Sequence, residues 1–114
     1  TRVRSSAASD VYKRQLELLL PHLAKVHLVV FMGIEPGKGG QSFNPICLPV
    51  LSRLRQNIDE RGLGTQIQVD GGMNEITAPS VVEAGAGALV AGSFLFRHPG
   101  GYVVAINRLK QAVR

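Results

Sequence analysis

The run Gln66-Ile-Gln-Val-Asp-Gly-Gly72 decides the fold class. Its first five residues form a strand candidate that ends at a pair of glycines, which is typical of a strand closed by a turn. Segments with helical periodicity lie on both sides of it. A strand set between helices indicates an α/β fold, in which strands pair in parallel through right-handed crossovers.

Two further strands are predicted along the chain. Val26–Ile34 is almost entirely apolar, and we expect it to form a strand buried on both faces. A loop rich in glycine follows it at residues 35–41. Ala88–Ala91 is a short run of small and apolar residues closed by Gly92. Each of the three predicted strands therefore ends in a turn that contains glycine.

Four segments repeat apolar residues every three or four positions and are predicted helices. They are Gln15–Lys25, Pro49–Arg61, Thr77–Gly85 and the segment that follows Pro99. In the first of them, Pro21 is expected to kink the helix or divide it into two short pieces, because a proline removes a backbone hydrogen bond. The predicted order of elements is α-βα-βα-βα.

The chain has 114 residues, too few for a complete eight-stranded α/β barrel, which needs about 200 residues or more. Its composition, 45% hydrophobic and 18% charged, is ordinary for a globular chain. No apolar run approaches the roughly 18 residues that would span a membrane, so we expect a soluble, cytoplasmic protein without a membrane partner. Cys47 is the single cysteine, and it is predicted to be a packing residue.

The net charge of +5 is concentrated near the start of the chain. Residues 1–15 hold four Lys or Arg and one Asp, a balance of 4 − 1 = +3, and residues 16–114 account for the remaining +2. The first segment is rich in serine and alanine and shows no periodicity. We therefore expect a disordered or non-native leader over residues 1–15 and the folded part over residues 16–114. This distribution argues against nucleic-acid binding.

The three glycine turns are the first candidates for function. Parallel strand order places them together at the carboxyl edge of the sheet, where α/β proteins bind ligands. Without a Cβ, backbone N–H groups approach a phosphate closely, and the following helix adds favourable partial charge. A glycine in any one turn is more often required by turn geometry, but three such turns at one edge favour a phosphate site. The residues are Gly37, Gly39, Gly40, Gly71, Gly72, Gly92 and Ser93.

Asp70 stands at the end of its strand, directly before two glycines. It can serve as an acid, a base or a metal ligand, or it can cap the turn, and position alone divides these roles evenly. Glu35 is either solvated or bound to substrate, with solvation favoured. Met32 either points into the active cavity or, more commonly, fills a gap in the core. The histidines lie away from the carboxyl ends of the strands and are predicted to be non-catalytic; they are His22, His27 and His98.

Four motifs resemble the ribulose-phosphate 3-epimerase family in order and spacing. They are Met32–Gln41, Val69–Asn74, Glu83–Ala86 and Val90–Ser93, the last accompanied by Phe96. The resemblance runs from about Leu16 to the C-terminus. It implies a partial TIM (β/α)8 barrel, in which the last three βα units of a ribulose-phosphate-binding barrel follow one helix.

The resemblance also implies a site. The substrate would be a ketopentose phosphate, with ribulose 5-phosphate and xylulose 5-phosphate interconverted by inversion at C3. Asp70 would be one of two acid/base aspartates and a ligand of a divalent metal, for which Zn, Fe, Mn and Co are all plausible. The second aspartate and the histidine ligands belong to earlier strands that this sequence lacks, so the chain alone is expected to be inactive. The implied substrate contacts are Gly37, Lys38, Gly39, Gly40, Gly71, Gly72, Gly92 and Ser93; the family usually has an aromatic residue in place of Lys38.

Other functions fit the same residues. An epimerase for a hexulose 6-phosphate shares the geometry, and so does another phosphate-binding barrel, although the Glu35-Pro-Gly and Asp70-Gly-Gly motifs argue against the latter. A different class of function is a non-catalytic phosphate-binding or assembly module that completes a barrel with a second chain. The exposed edges of an open sheet favour self-association, so a homo-oligomer is one expected state.

Overall fold

The structure is a computed structural model that describes residues 2–33 and 43–113, with side chains described from Asp10 onwards. Five α-helices, three strands and two short 3-10 helices make up these residues. The α-helices are α1 (Arg2–Leu19), α2 (Leu48–Glu60), α3 (Ala78–Ala84), α4 (Gly92–Arg97) and α5 (Gly101–Ala112). The strands are β1 (Leu28–Met32), β2 (Gln66–Asp70) and β3 (Ala88–Val90), and the 3-10 helices are Leu20–Lys25 and Pro45–Cys47.

The three strands form one parallel sheet in the order β1-β2-β3. Each strand is followed by helical structure before the next begins, as a right-handed crossover connection requires. The prediction of an α/β fold with parallel strands is therefore confirmed. Because both pairings are parallel, all three strands point the same way and their carboxyl ends lie at one edge of the sheet.

The core lies between one face of the sheet and the helices. Ile67 and Val69 of β2 are fully buried and belong to the same apolar cluster as Leu51, Leu54 and Ile58 of α2. These α2 residues recur every three or four positions and so fall on one face of the helix. Burying each such side chain contributes about 1.5–3 kcal/mol. The pairing of β2 with α2 is therefore the centre of the fold.

The opposite face of the sheet is exposed, which corrects the prediction that the first strand is buried on both sides. Leu28, Val30 and Met32 of β1 are 49%, 48% and 37% exposed, respectively. Successive strand residues point to opposite faces, and in the described residues the packed helices share the core with only one of them. The strand is also shorter than predicted, since it spans Leu28–Met32 instead of Val26–Ile34.

The start of the chain is helical, although residues 1–15 show no helical periodicity in the sequence. The division into a disordered or non-native leader over residues 1–15 and a folded part over residues 16–114 stays a prediction. Helix α1 begins at Arg2, and the sequence has no glycine or proline before Pro21. Good helix formers, chiefly arginine, alanine, glutamine and leucine, fill much of α1. The helix is tied to the fold further along, where Leu16 is buried and the ring of Tyr12 stacks on Phe31 at 5.6 Å.

Pro21 divides the first helical segment as expected. Helix α1 ends at Leu19, and a 3-10 helix continues to Lys25 with the proline in its first turn. The helix predicted after Pro99 is α5, whereas the short helix α4 was not predicted as a separate element. Within residues 2–33 and 43–113, no helix has both the length and the apolar character needed to cross a membrane.

Candidate active site at the carboxyl edge of the sheet

Asp70 is the last residue of β2 and lies in register with Met32 of β1 and Val90 of β3. Its neighbour Val69 is buried in the core, so strand alternation turns the Asp70 side chain to the opposite, open face. Asp70 as a residue is half-buried there. The three strand ends are therefore aligned, with the carboxylate of Asp70 on the central strand between two apolar side chains.

Met32 belongs to this open face and not to the core. It occupies the register position next to Asp70 and keeps about a third of its surface exposed. Of the two roles considered for Met32, the structure excludes the filling of a core gap.

The turn that follows β1 is bonded to the last residue of β2. The N–H of Gly33 donates to the carbonyl of Asp70 at 2.7 Å, and the carbonyl of Gly33 accepts from the N–H of Asn44 at 2.8 Å. A Cβ on Gly33 would come within 2.8 Å of the Gly71 carbonyl oxygen and 2.7 Å of the Phe43 ring. Only glycine fits this position without displacing its neighbours.

Both ends of the first glycine loop are thus held beside the second turn. Gly33 and Phe43 flank the loop and contact residues at the end of β2. Glu35 and the predicted contacts in the loop lie outside the described residues; those contacts are Gly37, Lys38, Gly39 and Gly40.

Gly71 and Gly72 form the second turn in left-handed conformations, with φ angles of 109° and 73°. A Cβ on Gly72 would lie 2.4 Å from the backbone nitrogen of Phe43. The Asp70 carbonyl points toward β1, where it accepts the bond from Gly33. In a trans peptide the next N–H points the opposite way, so the N–H of Gly71 is directed toward β3. The parallel pairing of Asp70 with Val90 places the Val90 carbonyl there, so this N–H continues the β2–β3 ladder by one residue.

Gly92 and Ser93 open α4, directly beyond the end of β3. The first N–H groups of a helix have no acceptor within the helix itself. Gly92 has no positive φ, and a Cβ placed on it would meet nothing within 4 Å. Unlike Gly33 or Gly72, this glycine is not required by the fold, and there is open space beside it.

Comparison with known proteins bears on the identity of this arrangement. Residues 9–96 match the model of the Ribulose-phosphate 3 epimerase family. The chain belongs to this family. The matched range begins inside the segment 1–15 that the sequence analysis separated from the folded part, and it includes all three strands and their turns.

Relatives of this epimerase-family chain come from several kingdoms. A ribulose-phosphate 3-epimerase of Synechocystis is 46% identical over 99 residues, which are 87% of this chain and 41% of the relative. A protein of the same name from Schizosaccharomyces pombe is 40% identical over 84 residues, covering 74% of this chain and 35% of the relative. A chloroplastic ribulose-5-phosphate-3-epimerase of Arabidopsis thaliana is 44% identical over 92 residues, covering 81% of this chain and 32% of the relative. The chain thus spans about two fifths or less of the length of these relatives.

The described part of this epimerase-family chain does not form a metal site by itself. Residues 2–33 and 43–113 contain no group of three or more His, Cys, Asp or Glu side chains able to hold a metal ion. Protein metal sites use about four ligands or more, and Asp70 can supply one carboxylate. The histidines do not complete the set: His22 and His27 precede β1 at the far edge, and His98 accepts a bond from the N–H of Gly100 at 3.0 Å.

Two residues at the site of this epimerase-family chain were missed from sequence. Phe43 packs between Gly33 and Gly72, and Asn74 accepts backbone bonds in the turn after β2. An apolar aromatic residue directly after a glycine-rich loop is the signal that could have identified Phe43. For Asn74 the signal is its residue type, because asparagine often bonds the backbone of its own turn.

Proposed function

We propose that this chain carries the phosphate-binding turns and one acid/base carboxylate of a ribulose-phosphate 3-epimerase. The reaction interconverts ribulose 5-phosphate and xylulose 5-phosphate. The observation that carries the proposal is the register of Met32, Asp70 and Val90, which aligns the three strand ends in a chain of this family. In the same proposal the three βα units are the last three of a (β/α)8 barrel.

The phosphate group is bound by backbone N–H groups. Gly72 follows the last paired residues of β2, and Gly92 and Ser93 begin α4 on the β3 side of Asp70. The open space at Gly92 supports close approach of an anion, because a Cβ would narrow it. Gly37, Lys38, Gly39 and Gly40 are proposed as further contacts, since the ends of their loop lie against the Gly72 turn.

Asp70 acts on the carbon next to the ketone. Its carboxylate removes the proton from C3, the C–H electron pair forms a carbon–carbon double bond to C2, and the carbonyl electrons move to oxygen to give an enediolate. Inversion requires that a proton return to C3 from the opposite face, which needs a second acid. Asp70 serves one face only, so the second group must come from outside the described residues.

Binding and inversion are therefore separable in this chain. We expect the 114-residue chain to bind ribulose 5-phosphate weakly and to invert it slowly or not at all. We also propose Asp70 as one ligand of a divalent metal, with the remaining ligands supplied by residues outside those the structure describes.

The test is a titration of the 15N-labelled chain followed by NMR. Ribulose 5-phosphate is expected to shift the amide signals of Gly71, Gly72, Gly92 and Ser93, and inorganic phosphate to compete. Ribulose without phosphate is the control and should leave these signals in place. Shifts confined to other residues, or equal shifts with unphosphorylated ribulose, would defeat the proposal. A hexulose 6-phosphate titrated in parallel tests the substrate: tighter binding of the hexulose would favour the other epimerase.

A further inference from the structure

The turn between β2 and α3 is closed by the hydroxyl of Thr77. Its Oγ1 donates to the carbonyl of Gly72 at 2.9 Å and accepts from the N–H of Asn74 at 3.0 Å. A second acceptor, Oδ1 of Asn74, lies farther away at 3.3 Å. A hydroxyl has one proton to donate, and the Gly72 carbonyl is the nearer of its two possible acceptors. One side chain thus spans the turn from its second glycine to the start of α3.

Asn74 holds Thr77 in position for this bond. Its Oδ1 accepts from the N–H of Ile76 at 2.8 Å and from that of Thr77 at 2.9 Å. Its own carbonyl accepts from the N–H of Ala78 at 2.9 Å, at the start of α3. Asn74 and Thr77 together form a clasp, and every bond of the clasp lies within residues 72–78.

The hydroxyl of Thr77 is not used to cap the helix. Thr77 occupies the N-cap position of α3, where a threonine side chain ordinarily accepts an N–H from the first turn. Here it makes no such bond and has helical backbone angles, with φ −86° and ψ −31°. The donor is directed instead to Gly72, in the turn that follows Asp70.

We infer that Thr77 is a positioning residue for phosphate binding at the Gly71-Gly72 turn, an inference that rests on the proposed function. Two successive glycines have the greatest backbone freedom of any pair, and both adopt positive φ here. The bond to the Gly72 carbonyl fixes the peptide plane between Gly72 and Met73, because C=O and N–H are coplanar across it. Thr77 reaches the phosphate site only through this backbone.

The experiment compares two substitutions of the same side chain with one control. Thr77→Val keeps the shape and removes the hydroxyl, Thr77→Ser keeps the hydroxyl, and Ser80→Ala removes an exposed hydroxyl from the same helix. NMR records the amide signals of Gly71, Gly72 and Met73 together with the affinity for inorganic phosphate. We expect Thr77→Val to move these signals and weaken binding about threefold to tenfold, the range of one net hydrogen bond. Thr77→Ser should restore both, and Ser80→Ala should change neither.

The outcomes separate this inference from the proposed function. If the unsubstituted chain binds no phosphate, the proposed function fails while the amide signals still test the clasp. If Thr77→Val leaves the three signals in place, or Thr77→Ser does not restore them, the positioning role is overturned. Should Thr77→Val fail to fold, Asn74→Ala removes the acceptor that holds Thr77, and the same signals and affinity decide the question.

Discussion

Gly33 and Asp70 are joined by a backbone hydrogen bond of 2.7 Å that extends the pairing of β1 and β2 past the end of β1. The bond brings the first glycine turn to the residue whose carboxylate is proposed to do the chemistry. It also orients the Asp70 carbonyl toward β1 and so directs the Gly71 N–H away from it. The hydrogen bond between Gly33 and Asp70 therefore holds the first glycine turn beside the proposed phosphate site.

Replacing Gly33 with alanine should destabilise the protein. The added Cβ would lie 2.8 Å from the Gly71 carbonyl and 2.7 Å from the Phe43 ring, and relieving such overpacking costs about 1–3 kcal/mol. Urea unfolding measures the change. Gly64→Ala is the matched control, because a Cβ there meets nothing within 4 Å, and it should be neutral or slightly stabilising. Equal stabilities for the two variants would show that the turns are not packed as described.

Gly72→Ala should lower the free energy of unfolding more than Gly62→Ala does, although both glycines have a positive φ. The φ angles are 73° and 64°, so both variants carry a left-handed penalty of about 1–2 kcal/mol. A Cβ on Gly72 also lies 2.4 Å from the Phe43 backbone nitrogen, whereas one on Gly62 meets nothing within 4 Å. The difference between the unfolding free energies of the two variants, measured with denaturant, isolates the contact with Phe43. A smaller loss for Gly72→Ala would contradict this geometry.

Removing the charge of Asp70 should strengthen the binding of inorganic phosphate. Asp70→Asn keeps the side-chain shape and removes a like charge close to the proposed anion site, so affinity is expected to rise about twofold to threefold at low salt. Asp59→Asn is the control: Asp59 pairs with Arg55 on α2, away from the strand ends, and its loss should leave phosphate affinity unchanged. The measurement is a phosphate titration, and loss of binding in Asp70→Asn would rule out this electrostatic account.

Cys47 should be unreactive in the folded protein. Burial raises the pKa of the Cys47 thiol from 9.0 to about 11, and a backbone hydrogen bond only partly offsets this. At neutral pH a thiol-specific reagent is expected to label the protein far faster in denaturant than in buffer.

The same shift makes stability depend on pH. The folded-state pKa lies above the unfolded one, so the unfolded state loses its proton first and stability falls as pH rises from about 9 toward about 11. Cys47→Ala should lack this component of the pH dependence, which unfolding measured across that range can show. Identical alkaline profiles for the two proteins would contradict it.

Local signals in the sequence predicted the parts of the fold that depend on local chemistry. The end of β2 at Asp70 and the break of the first helical segment near Pro21 follow from glycine and proline, whose backbone preferences act within a few residues. Helix α2 was recognisable because its apolar residues recur every three or four positions, which is also a local signal. Parallel order then placed Asp70 at the same edge as the turns, and its acid/base role stays a prediction.

The missed features depend on contacts between distant parts of the chain. Whether Val30 is buried depends on which sheet face the helices cover, and an apolar run does not encode that. Phe43 is important because it meets Gly33 and Gly72, which come from two different turns. Thr77 begins the predicted helix Thr77–Gly85, but its hydroxyl donates to the carbonyl of Gly72, a contact that helical periodicity does not encode.

The open face of the sheet makes self-association a prediction for this chain. Leu28, Val30 and Met32 form an apolar row beside Asp70, and burying such surface contributes about 25 cal/mol per Å². We expect sedimentation velocity to show association that increases with concentration, and Val30→Lys to reduce it because a charge resists desolvation. Leu18→Lys is the control, since Leu18 is an exposed residue of α1 that lies outside the sheet. A chain that stays monomeric at all concentrations, or that responds equally to both substitutions, would exclude this face as the contact surface.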